Sequence, residues 1–119
     1  MNITLLGNRD LASCVALNHL LPALSAHQVI VFLSSQVGKS VGKSDSEQRR
    51  PESLDTLTFY EQTLVNDIVF PLCDRVGGPA PSLLTFKGME KFLAGPIEDL
   101  NDINTSGLAR FAATTPDLV

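Results

Sequence analysis

Ile3-Thr4-Leu5-Leu6-Gly7-Asn8-Arg9-Asp10 opens the stretch that decides the fold, and Val29-Ile30-Val31-Phe32-Leu33 closes it. Ile3 to Leu6 is a short apolar run ended by Gly7, which reads as a buried strand followed by a tight turn. From Asp10 to about Ser25 the period changes. Leu11, Cys14, Leu17, Leu21 and Leu24 recur at helical spacing and give that segment one apolar face. Pro22 lies late in the pattern, where it kinks the helix or ends it early. Residues 29–33 then make a second continuous apolar run. Strands that are apolar throughout, rather than alternating, belong in a parallel sheet covered on both faces. The order is β-α-β, with a right-handed crossover expected.

Outward from this unit, Gln36 to Glu52 is the most polar segment, with Gly38, Gly42 and Pro51, and reads as a mobile loop. Leu54, Leu57, Glu61, Leu64 and Ile68 keep a helical beat to about Phe70, with Tyr60 beside them. Pro71 is expected to bend or stop that helix, and Gly77-Gly78-Pro79 to turn the chain. Phe86 to Leu93 predicts a short helix weakened by Gly88, and Pro96 to Leu100 a short edge strand. Thr105 or Asn104 is expected to cap a last helix holding Leu108 and Phe111, which Pro116 ends. No internal repeat is present. Asp117-Leu118-Val119 reads as the first residues of a further strand. Residues 1–119 are therefore expected to form one domain, a fragment of a larger protein.

A chain of 119 residues holds one domain with a real core and is too short for two. With 44% hydrophobic and 18% charged residues, its composition is that of a globular protein rather than a disordered tail. The net charge of −4 excludes a general attraction to nucleic acid or anionic membrane. The basic pair Arg49-Arg50 sits among Asp45, Glu47 and Glu52, which largely neutralise it. No apolar stretch approaches the roughly 20 residues that span a bilayer, and the first residues lack the basic flank of a signal peptide. Cys14 and Cys73 each fall within an apolar helical pattern. They read as two buried free thiols in a reducing, cytoplasmic setting, with no metal set.

Among the motifs, Gly38-Lys39-Ser40-Val41-Gly42-Lys43-Ser44 imitates a phosphate-binding loop. Its first glycine lies one position too close, and no apolar helix follows, so a flexible polar loop is the better reading. Gly7-Asn8-Arg9 is the stronger candidate. Ligands of open parallel sheets sit beyond the carboxyl ends of the strands, and Arg9 can add a charge-assisted bond to a phosphate or carboxylate. The competing account is that Gly7 turns the chain, Asn8 caps the helix and Arg9 is solvated. His19 and His27 fall in or just after the first helix, away from a strand-end crevice. Ser13 and Ser34-Ser35 show no nucleophile elbow. Asp99 and Asp102, flanking the third strand, read as turn formers.

Three passages together resemble the N-terminal segment of the 10-formyltetrahydrofolate-dependent formyltransferase family. They are Asn2-Ile3-Thr4-Leu5-Leu6-Gly7-Asn8-Arg9-Asp10-Leu11-Ala12-Ser13, Leu83-Leu84-Thr85-Phe86-Lys87-Gly88-Met89, and Asp102-Ile103-Asn104-Thr105 leading to Pro116-Asp117-Leu118-Val119. The resemblance implies a three-layer Rossmann-like α/β domain of strand order 3-2-1, truncated at the start of a fourth strand. It implies transfer of a formyl group from 10-formyltetrahydrofolate to an amine, which could be small or tRNA-linked. It assigns the loop of Gly7, Asn8 and Arg9 to the substrate side. The family's Asn-x-His-x-Ser-Leu-Leu-Pro passage and later Asp, which stabilise the oxyanion and move the proton, do not occur in these 119 residues. The folate pocket belongs mainly to the same missing part. The chain by itself is thus expected to be inactive, with no catalytic residue of its own, and to dimerise through an uncovered sheet edge. The alternatives are a non-catalytic anion- or nucleotide-binding Rossmann-like module and a protein-interaction domain.

Overall fold

The computed structural model describes residues 1–36, 52–76 and 83–119. β1 (Asn2–Asn8), α1 (Leu11–Ala23) and β2 (Gln28–Ser34) form the β-α-β unit, and β1 and β2 pair in parallel from Asn2 opposite Gln28 to Asn8 opposite Ser34. β3, only Glu98–Asp99, extends the sheet in parallel beside Phe32 and Leu33. The order is β1-β2-β3, and on the far side of β1 Leu118 makes one parallel bridge to Ile3. The protein is a small α/β domain built on a three-stranded parallel sheet.

Alternation along the strands sets the two faces. Ile3, Val29, Val31 and Leu33 pack with Cys14, Leu17 and Leu21 of α1 and with Phe86 and Met89, making the buried core. On the opposite face the buried Thr4 hydroxyl bonds Thr114 at 2.9 Å, and the Arg110 guanidinium lies over the Phe32 ring. Arg110 comes from α5 (Leu108–Ala112), so this second face is covered from the C-terminal side. Burial of the apolar face is the main stabilising term, at about 25 cal/mol per Å² of apolar surface.

Local chemistry fixes the ends of the elements. Asp10, not Asn8, caps α1: its carboxylate accepts from the Ser13 amide at 2.7 Å. Pro22 sits inside the last turn, and the helix ends one residue later. The long helix differs from expectation. α2 (Glu52–Phe59), a π-helical stretch (Tyr60–Val69) and α3 (Phe70–Val76) run end to end, so Pro71 does not stop it. The wider π turn, in which the Phe70 amide reaches back to the Val65 carbonyl, makes room for the proline ring. The apolar beat of this helix does not face the core either. Leu54, Leu57 and Ile68 are exposed, and the helix docks instead through Gln62, Asn66, Phe70 and Asp74. Cys73 is consequently exposed, correcting the expectation of two buried thiols. Cys14 alone is buried.

α4 (Phe86–Met89) starts at a Thr85 cap and gives way to a 3-10 turn over Glu90–Phe92. Neither Asn104 nor Thr105 caps α5. The position is held by Gly107 with no side-chain cap, while the Asp102 carboxylate accepts from the Thr105 amide and hydroxyl. Gly107 is required for space: a Cβ there would meet Leu100 Cδ1 at 2.4 Å and the Asp102 carbonyl at 2.5 Å. The expected loop from Gln36 to Glu52, with its Gly38–Ser44 imitation of a phosphate loop and Arg49-Arg50, lies outside the described residues except for its two ends. No helix among the described residues is long and apolar enough to cross a membrane.

Candidate functional site

β1 delivers Arg9 to the carboxyl end of the sheet, where the Arg9 amide bonds the Ser34 carbonyl at 2.9 Å and so locks the ends of β1 and β2 together. The Arg9 side chain is not free in solvent. Its Nε donates to Asp99 at 2.6 Å, and its guanidinium carbon lies 5.8 Å from the centre of the Phe86 ring. Both contacts restrain the guanidinium, one by charge and one by the ring quadrupole. Its two terminal nitrogens make no hydrogen bond among the described residues.

The long helix closes over this loop. Gln62 and Asn66 both donate to the Arg9 carbonyl, at 2.5 and 2.8 Å. Phe70 meets Phe86 edge-to-face at 6.0 Å, and Asp74 accepts from the Thr85 hydroxyl at 2.6 Å. Between helix and loop lies a cavity of about 130 Å³ lined by Arg9, Asn66, Asp74, Thr85 and Lys87, with Phe70, Pro71 and Phe86 as its apolar walls. Asn66 Oδ1 is buried and has no hydrogen-bond partner among the described residues. An amide oxygen in that condition costs about 1–3 kcal/mol unless something donates to it.

The third wall is positioned by a residue that sequence inspection passed over. Asn18 of α1 accepts from the Leu84 amide at 2.7 Å and donates to the Leu84 carbonyl at 2.9 Å. It holds the irregular backbone ahead of α4 as a neighbouring strand would. Thr85 then caps α4 by accepting from the Gly88 amide at 2.9 Å, which fixes Phe86 and Lys87 at the cavity.

Of the candidate triplet, the structure brings only Arg9 to this cavity. Asn8 is exposed, and its amide donates to Ser13 Oγ. Gly7 lines a different, apolar cavity of about 160 Å³ between β1 and α1, with Leu5, Ala16 and Leu20 among its walls. Asp99 serves Arg9 rather than a turn. Ser34 and Ser35 are bracketed by Asn101 Oδ1, which accepts from both hydroxyls and the Ser35 amide. His19 and His27 lie along α1 and just before β2, away from the carboxyl ends. Among the described residues no group of His, Cys, Asp and Glu could hold a metal ion. Gln62, Asn66 and Asp74 left a trace in the sequence, a polar stripe at steps of four or eight residues around Phe70, but the apolar beat beside it is the louder signal. No family model, curated protein or solved structure matches the chain.

Proposed function

We propose that this chain is the acceptor-side part of a three-layer, Rossmann-like formyltransferase, in which an amine bound near Arg9 attacks the formyl group of 10-formyltetrahydrofolate. The observation that carries this reading is the path of the last residues. After the Asp102–Thr105 turn and α5, Pro116-Asp117-Leu118 enters the sheet parallel to β1, with Asp117 and Leu118 amides bonding the Asn2 carbonyl. That is the succession of turn, helix and Pro-Asp-Leu strand by which the chain resembles the family. The ligand cavity at the carboxyl end of the strands is where open α/β sheets bind substrates. Two unpaired thiols fit a reducing cytoplasm.

Chemistry in this scheme needs donors to the developing oxyanion, and the family's groups for that task are absent from the sequence. The chain alone is therefore expected to release no tetrahydrofolate from 10-formyltetrahydrofolate with any amine. Primary amines are expected to shift the amide resonances of residues 8–10 saturably. Release of tetrahydrofolate by the unaided chain, or an Arg9 loop indifferent to every amine, would overturn the proposal. A second reading, an anion-binding module, is favoured by the terminal nitrogens of Arg9, which make no hydrogen bond among the described residues and lie beside Lys87. Inorganic phosphate displacing the amines at equal concentration would support it instead.

A further inference from the structure

The cavity beside Arg9 is bipolar. Arg9 and Lys87 bring two positive charges, while Asp74 and the Asp99 that holds Arg9 bring two negative ones. A phosphate entering it would meet the Asp74 carboxylate, and a metal cation would meet Arg9 and Lys87, so a singly signed ligand faces repulsion from one side. The buried Asn66 Oδ1 adds a requirement of its own, since an amide oxygen accepts and needs a donor. The guanidinium terminal nitrogens add the opposite one, a planar acceptor pair such as a carboxylate. A volume of about 130 Å³ holds more than a single water and admits only a compact molecule.

We infer that this cavity binds a small zwitterionic α-amino acid, its carboxylate on Arg9 and Lys87 and its ammonium on Asn66 Oδ1 and Asp74. The inference rests on the acceptor-side role proposed for the Arg9 loop and names the class of amine it receives. A zwitterion leaves the charge balance of the cavity unchanged and satisfies the orphaned amide oxygen. Phe70 and Phe86 shield it from water on the apolar side and leave space for a short side chain only.

Titration of the whole chain, followed by the Asn66 side-chain amide and the Gly88 backbone resonances, tests this with glycine, serine, glycinamide, N-acetylglycine and inorganic phosphate as probes. Glycine and serine are expected to saturate both signals. Glycinamide, which lacks the carboxylate, and N-acetylglycine, which lacks the ammonium, are expected to bind at least about ten-fold more weakly, as loss of one charge-assisted contact implies. Lys87→Ala, at an exposed position, is expected to weaken glycine without disturbing the fold, and Asn66→Leu to remove it. Glycinamide binding as tightly as glycine would overturn the zwitterion while leaving an amine-accepting loop intact. Phosphate binding more tightly than glycine, or no saturable shift with any amine, would overturn both. Saturation by glycine together with tetrahydrofolate release by the chain alone would sink only the proposed division of labour in formyl transfer.

Discussion

Cys14 and Cys73 carry the same group in opposite surroundings. Cys14 is fully buried, donates to the Leu84 carbonyl at 3.4 Å, and burial pushes its thiol from 9.0 up to about 11, whereas Cys73 is exposed on α3. A maleimide or iodoacetamide is expected to modify Cys73 in the folded chain and to reach Cys14 only after denaturation, as mass spectrometry would show. The raised value carries a sign. The buried thiol stabilises the fold below pH 9.0, and that contribution is lost as pH rises toward about 11. The denaturant midpoint should fall across this window, and Cys14→Ala should flatten the difference. Thr115 supplies a second residue-scale expectation. Its φ of 43° lies in the left-handed region, a strained place for a β-branched side chain just after α5. Thr115→Gly should stabilise the chain by about 0.5–1 kcal/mol after the entropy cost of glycine is subtracted, read as a rise in the denaturation midpoint. At this scale the sequence was informative about Arg9 and silent about its neighbours. Gly7, Asn8 and Arg9 are adjacent in the chain, but strand alternation turns Asn8 away from Gly7, and Arg9 lies beyond the end of β1, so adjacency did not make them one site.

Elements were legible where their own pattern decides them. β1, α1 and β2 appear as continuous apolar runs around a helical beat, and all three form within a residue or two of the expected places. Asp117-Leu118 likewise reaches the sheet, pairing with β1. The long helix was legible as a helix but not in its facing, because its apolar residues outnumber the polar ones that dock it. Four contacts made by Gln62, Asn66, Phe70 and Asp74 hold it, and no short-range pattern announces a partner that is distant in sequence. The Asn18 clamp shows the same limit, since it reaches a backbone 66 residues away. Asn18→Leu leaves the Leu84 amide without its partner and its carbonyl with only the Cys14 thiol, and should cost about 1–3 kcal/mol. Circular dichroism during urea titration measures that loss. Near-normal stability of the variant would mean that residues 83–86 hold their course without α1.

At the scale of the whole molecule, the described residues cover the side of β1 away from β2 only in part. Leu118 reaches Ile3 and Thr4, and beyond it Leu6, Leu20 and Val119 are exposed. An uncovered strand edge flanked by apolar side chains invites pairing with another chain. Self-association rising with concentration is expected in sedimentation, and Leu6→Lys should suppress it. A monomer at millimolar concentration would rule this edge out as a contact. The same strand carries a signature in time. Thr4 gives its amide to the Leu118 carbonyl and Asn8 to Ser13, while the registered pairing turns the odd-numbered amides toward β2. Leu6 faces the uncovered side between them. Its proton should exchange with deuterated solvent much faster than those of Leu5 and Gly7, so one strand would show neighbouring hydrogens leaving on different clocks.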